Sequence, residues 1–170
     1  SGGITGLPAG AVPPVRPVKG QILRLLGPTE PPLLSSCIRG LVRGRHLYVV
    51  PRTDGRIVVG ATQEELGFDT SVTAEGVHQL LDDVIELCPG LADLALVETS
   101  AGLRPGTPDN GPVVGWTALE GLLSATGHFR HGILLTAITA EAVADLAAGR
   151  AVAAELAPFG PDRFALEPRP

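Results

Sequence analysis

Methionine is absent from all 170 residues, and the sequence opens Ser1-Gly2-Gly3. A fragment or processed piece of a longer product is the expectation that follows. Cysteine is nearly absent: Cys37 and Cys88 are the only two, and their spacing fits no metal cluster. Two buried, reduced thiols in a cytoplasmic protein are expected, with a single disulfide as the alternative. No block of five or six basic residues occurs and the net charge is −5, which argues against a nucleic-acid partner. No apolar run approaches the length of a membrane span, and no signal peptide opens the sequence. No membrane association and no metal are expected.

What is present suits a globular protein. At 44% hydrophobic and 18% charged, the sequence can bury one good core. Residues 1–13 are rich in Gly, Pro and Ala and read as a connector. A partly alternating apolar pattern from Val15 to Leu26 predicts a strand, stopped at Gly27-Pro28. Strands are also expected at Cys37–Val42, His46–Pro51 and Ile57–Ala61, the last entered through Asp54-Gly55, whose backbone tolerates the positive φ of a hairpin turn. Together they predict an antiparallel sheet.

Val77, Leu80, Leu81, Val84, Ile85 and Cys88 recur at helical spacing, with Thr73 as N-cap and Pro89-Gly90 as stop. The acidic residues Asp82, Asp83 and Glu86 on the other face read as solvated. Leu94–Ala101 predicts a further strand, Pro105–Pro112 a run of turns, and Val113–Trp116 and Gly121–Ala125 two short strands. Behind them a helix from about Ile133 to Ala148 is apolar nearly all round, so burial on most sides is expected. The sequence offers little to cover it, and a missing packing partner is the inference.

The turn between that last strand and helix, Gly127-His128-Phe129-Arg130-His131-Gly132-Ile133-Leu134-Leu135, is the most suggestive stretch. A strand feeding a helix through a glycine-bounded turn leaves backbone N–H groups without intrahelical partners, and these favour an anion. Arg130 and His131 add side-chain donors. The plainer alternative is a capped core helix.

That turn and Gly102-Leu103-Arg104-Pro105-Gly106-Thr107-Pro108-Asp109 give the sequence a specific likeness. It resembles the C-terminal half of the FAD-dependent glycine oxidases of thiamine biosynthesis, within the D-amino acid oxidase family. Arg16-Pro17-Val18-Lys19-Gly20-Gln21, Tyr48-Val49-Val50-Pro51-Arg52 and Gly60-Ala61-Thr62-Gln63-Glu64-Glu65 match further landmarks in the same order. The resemblance implies an α+β fold: a substrate-binding sheet domain with a helix over 14–103, then the returning strand–helix segment of an FAD-binding α/β domain over 104–170. The glycine-rich pyrophosphate turn of the family does not occur in these residues, which implies an absent N-terminal nucleotide-binding half. Two local departures stand out: His131 where asparagine is common, and Ser100 where an aromatic precedes Ala-Gly-Leu-Arg.

The resemblance also implies roles. Arg104 matches the residue that holds the substrate carboxylate, a task suited to a planar bidentate guanidinium. Tyr48 matches a pocket tyrosine, Arg130 a second arginine at the flavin–substrate junction, and His46 lies on the same strand face as Tyr48. His128, Phe129, Arg130, His131, Gly132, Ile133 and Leu134 would contact FAD, the start of the helix facing its pyrimidine edge. No general base is identified. The implied reaction takes glycine, sarcosine or a small D-amino acid to the imine, with O2 reduced to hydrogen peroxide, in a homo-oligomer. A dehydrogenase-like relative using another acceptor, and a non-catalytic remnant, are the alternatives.

Overall fold

The computed structural model describes residues 12–164. Seven strands and two helices follow one another as β1 (Arg16–Leu26), β2 (Ile38–Val42), β3 (Arg45–Pro51), β4 (Arg56–Gly60), α1 (Ala74–Leu87), β5 (Ala95–Gly106), β6 (Val113–Trp116), β7 (Leu123–Thr126) and α2 (Thr136–Ala147). Short 3-10 turns lie at Pro89–Leu91, Ala154–Phe159 and Pro161–Phe164. Two compact units result: Lys19–Leu103, and the described residues up to Val18 together with those from Arg104 on. Of the connector expected over 1–13, all but the last two residues lie outside the described ones, as do the final six residues of 104–170.

The first unit carries the sheet, in the order β2-β3-β4-β1-β5. β2, β3 and β4 pair antiparallel, as their close succession predicts, and β1 pairs antiparallel with β4 across a long connection. Strand side chains alternate between faces, so Leu23, Leu25, Leu47, Val49, Ile57 and Val59 share one side and pack with Leu80 and Val84 of α1. Each such burial contributes about 1.5–3 kcal/mol, and this aliphatic layer holds the unit together. The opposite face carries His46, Tyr48, Gly60, Ile22 and Arg24. α1 begins where expected: the Thr73 hydroxyl accepts the Gly76 amide at 3.1 Å.

The polar side of α1 corrects the sequence reading. Asp83 is buried, and its carboxylate receives Arg45 through Nε at 2.8 Å and Nη2 at 2.5 Å. Asp82 and Glu86 both hold Arg43. The acidic stripe is thus a docking strip for the two arginines around the β2–β3 turn, which a helical wheel cannot reveal. The cysteines also differ from expectation: both thiols are free, but Cys37 is exposed.

A second buried charge was not foreseen. Lys19 is fully enclosed and its Nζ meets Asp69 at 2.8 Å and Glu64 at 3.5 Å. Beside it Gln21 donates to Glu64 and accepts the Thr73 amide, so β1, the loop before α1 and the cap of α1 share one polar network.

In the second unit β6 and β7 form an antiparallel pair, and β5 continues into it as Arg104–Gly106. β5 therefore runs five residues past the Ala101 limit read from the sequence. Its Pro105 lies near the end of the strand, a position where the missing N–H is tolerated. α2 starts at Thr136, three residues later than expected, because Ile133 and Leu134 belong to the preceding turn. The helix packs through Ile138, Ala142 and Leu146 against Val114, Leu156 and Phe159. Burial on most sides is not found: Ala142 is its one buried residue, and Ala137, Ala140, Ala144 and Ala147 are exposed.

Candidate functional site

The turn from Gly127 to Leu135 is shaped by two residues with left-handed backbone, Gly127 at φ 75° and Phe129 at φ 49°. Only glycine fits the first. A Cβ there would collide with the Thr107 methyl, so the turn is pressed against the loop that follows β5. Phe129 then points its amide at the Pro105 carbonyl, 3.0 Å away. The residue before that carbonyl is Arg104, half-buried at the end of β5. Strand end and turn are thereby joined within one unit.

Further bonds hold the turn's interior. The amide of His131 donates to the His128 carbonyl at 2.8 Å, and that of Leu135 to the His131 carbonyl at 2.9 Å. The His128 ring nitrogen Nε2 lies 2.9 Å from the Thr139 hydroxyl, clasping the turn to the second turn of α2. Partial burial pushes the His128 pKa down, so the ring is neutral at pH 7. The guanidinium of Arg130 lies 5.3 Å from the centre of the Phe129 ring.

The outer side of the turn is open. Ile133 and Leu134 are 96% and 78% exposed. The amides of Gly132, Ile133 and Leu134 make no hydrogen bond among the described residues. Three amides without a partner among the described residues, beside two bare aliphatic side chains, suit the edge of a flat, partly apolar group with electronegative atoms along it. This arrangement is a turn rather than the helix start read from the sequence, since the first helical residue is Thr136.

The loop from Thr107 to Gly111 backs the strand end. The Thr107 hydroxyl is 2.7 Å from the Gly111 carbonyl, and Arg16 reaches the Thr107 carbonyl and Asn110. Arg163 bonds Asp109 through Nε at 3.0 Å, with its guanidinium stacked 4.2 Å from the Phe164 ring centre. That arginine, above all, holds the Asp109 carboxyl well below the usual carboxylate range. No local pattern marks this clasp, whose partners stand 54 residues apart.

Tyr48 and His46 lie in the other unit, on the sheet face opposite α1. Tyr48 is half-buried and His46 exposed. The strand registers align Arg39, Tyr48, Gly60 and Ile22 in one row across that face. The sequence-derived site residues thus fall into two groups. The structure joins Arg104 to the turn carrying His128, Phe129, Arg130, His131, Gly132, Ile133 and Leu134, and it places Tyr48 beside His46. Two positions passed over by sequence reasoning now stand next to them: Thr139 as the partner of His128, and Gly60 beneath Tyr48.

Comparison with known proteins bears on these groups. The family model described as FAD dependent oxidoreductase matches residues 2–146. The bifunctional protein ThiO/ThiG of Synechocystis sp. is 40% identical over 89% of this chain and 23% of its own length. The glycine oxidase of Pseudomonas aeruginosa is 39% identical over 91% of this chain and 41% of its own. The crystal structure of glycine oxidase from Geobacillus kaustophilus superposes with a TM-score of 0.79 at 36% identity, covering 89% of this chain and 40% of that one. The chain therefore spans about a fifth to two fifths of the length of such curated relatives.

Proposed function

The chain belongs to the FAD dependent oxidoreductase family, and from that premise we propose that it forms the substrate-facing part of a flavin-dependent oxidase for glycine or another small amino acid. The observation that carries this reading is the bond between Phe129 and Pro105. It brings the strand end that carries a half-buried arginine to an exposed turn with three unpartnered amides among the described residues and two bare aliphatic side chains. A carboxylate holder beside a surface suited to a flat heterocycle is what amino acid oxidation needs.

FAD, when bound, supplies the two-electron acceptor, which O2 restores with release of hydrogen peroxide. The substrate gives up two electrons and two protons to become an imine, and oxygen takes up both. Within this chain Arg104 holds the substrate carboxylate in a bidentate grip and so aims the Cα–H bond. Tyr48 donates a further hydrogen bond, Arg130 adds positive charge at the head of the turn, and His46 lines the substrate side. The amides of Gly132, Ile133 and Leu134 would hold the electronegative edge of the flavin, and the side chains of Ile133 and Leu134 would exclude water there. His128, neutral and clasped to Thr139, supports the turn and is assigned no proton transfer. The amine is taken up neutral, so no side chain need act as base before the Cα–H bond breaks.

Residues for the flavin pyrophosphate do not occur in this sequence, and a nucleotide-binding N-terminal half completes the cofactor site in this proposal. Assembly as a homo-oligomer and a supply of imine for the thiazole of thiamine belong to the same reading. The test is turnover of glycine by the full-length protein with O2 alone and with an artificial acceptor. Oxygen uptake matched by peroxide supports an oxidase. Turnover that needs the artificial acceptor supports the dehydrogenase-like alternative. No turnover of glycine, sarcosine or small D-amino acids under either condition rejects the reading.

A further inference from the structure

Gly60 lies directly beneath the only tyrosine in the sequence. It is a buried residue at the end of β4, paired with Tyr48 of β3 on one side and Ile22 of β1 on the other. A Cβ on Gly60 would stand 2.5 Å from the Tyr48 hydroxyl oxygen, 2.6 Å from Cζ and 2.9 Å from the Ile22 Cγ2. Real Cβ atoms do not approach heavy atoms that closely, so any side chain would have to push the phenol aside. Gly60 does not have left-handed backbone, unlike Gly127, and the space a side chain would need is taken here by the phenol.

The consequence is room for this pose of the phenol. Its ring leans across the sheet from β3 onto β4, and its tip rests on the bare backbone of Gly60. The hydroxyl makes no hydrogen bond among the described residues, and the side chain is only half-buried. Among the described residues the donor is thus unspent, on the sheet face that α1 does not cover.

We propose that Gly60 is a positioning residue for substrate binding: its missing side chain seats Tyr48 so that the phenol O–H is presented to an oxygen of the substrate carboxylate. This rests on the reading above, in which Tyr48 touches the substrate; what it adds is the residue that aims Tyr48. Alanine at this position forces the ring off its seat by an ångström or more, and misplacement of that size in a binding constellation costs up to about 100-fold.

The experiment is a double-mutant cycle in the full-length holoprotein, with Gly60→Ala, Tyr48→Leu and the pair, read as kcat and KM for glycine. Gly60→Ala is expected to raise KM about tenfold with a smaller change in kcat, and to have less than a twofold effect on KM when Tyr48 is already Leu. Equal effects of Gly60→Ala in both backgrounds overturn the proposal. A second readout needs no turnover. With 3-fluorotyrosine incorporated, the 19F signal of Tyr48 is the one that Tyr48→Leu removes; Gly60→Ala should shift it, and acetate should shift it in the parent but not in Gly60→Ala. A signal unmoved by Gly60→Ala overturns the seat, and a seat that moves without acetate or KM responding overturns the binding role. Should Gly60→Ala alone fail to fold, the pair with Tyr48→Leu must fold and match the KM of Tyr48→Leu, or the proposal falls. A parent that oxidises no amine at all is a failure of the functional reading instead, and leaves the 19F result as the measure of the seat.

Discussion

The amide of Phe129 donates to the carbonyl of Pro105 across 3.0 Å. One hydrogen bond thereby joins the end of β5, where Arg104 sits, to a turn that otherwise belongs to the approach to α2. Gly127 makes the bond possible, since its left-handed backbone brings Phe129 over the loop.

Gly127→Ala should therefore destabilise the protein by about 1–3 kcal/mol, from φ strain together with collision against the Thr107 methyl. Thr107→Ser removes that methyl while keeping the hydroxyl bond to Gly111. Urea unfolding midpoints should show the Thr107→Ser/Gly127→Ala pair recovering part of the loss but not all. Full recovery would place the cost in the collision alone, and no loss in the single variant would contradict the geometry.

Acid should loosen the first unit through Asp69. Bonds from Lys19, first, and then from Ser71 lower its pKa to about 2. A carboxyl whose folded pKa lies below its unfolded value near 4 contributes stability that is complete above the unfolded value. That contribution is lost as pH falls from about 4 toward 2, because the unfolded state binds the proton first. Lys19, raised chiefly by the same Asp69, gives the complementary sign: its contribution persists to high pH and fades only above the ordinary lysine range. Asp69→Asn should flatten the pH dependence of the unfolding midpoint between pH 4 and 2, and an unchanged slope would remove Asp69 from the account.

Burial separates the two arginines that meet α1. Arg43 and its partners Asp82 and Glu86 are all about half exposed, so Arg43→Ala should cost under about 1 kcal/mol. Arg45 is itself partly exposed, but its partner Asp83 has 2% of its side chain in solvent. Losing Arg45 strands that carboxylate, and Arg45→Ala should cost about 1–3 kcal/mol, below the fully buried limit. Thermal unfolding of both variants, with the smaller loss at Arg45, would reverse this ranking.

Most of the scaffold was legible because its signals are local. Alternation placed β1 to β4, and a threonine four residues before an apolar periodicity placed the cap of α1. Long-range polar pairs were not legible: Asp83 with Arg45, Lys19 with Asp69 and Arg163 with Asp109 are set by tertiary contact. The turn after β7 was found from its glycines, yet its helix was started too early, since Ile133 and Leu134 look helical by composition alone. For α2, the apolar pattern runs nearly all round while the fold described buries one side of it, in keeping with the expectation that these residues offer little to cover the helix. The seat of Tyr48 on Gly60 depends on strand register, which alternation does not supply.

The account stands most directly on Arg104. In the full-length protein Arg104→Leu should leave the flavin spectrum in place while lowering kcat/KM for glycine on the order of 100-fold or more, since a bidentate charge-assisted grip and its aim are both lost. Arg104→Lys should restore only part, because an ammonium keeps the charge without the fork. Steady-state glycine oxidation beside the flavin absorbance of all three proteins is the measurement. A kcat/KM for Arg104→Leu within about threefold of the parent, with flavin fully bound, would show that Arg104 does not anchor the substrate carboxylate.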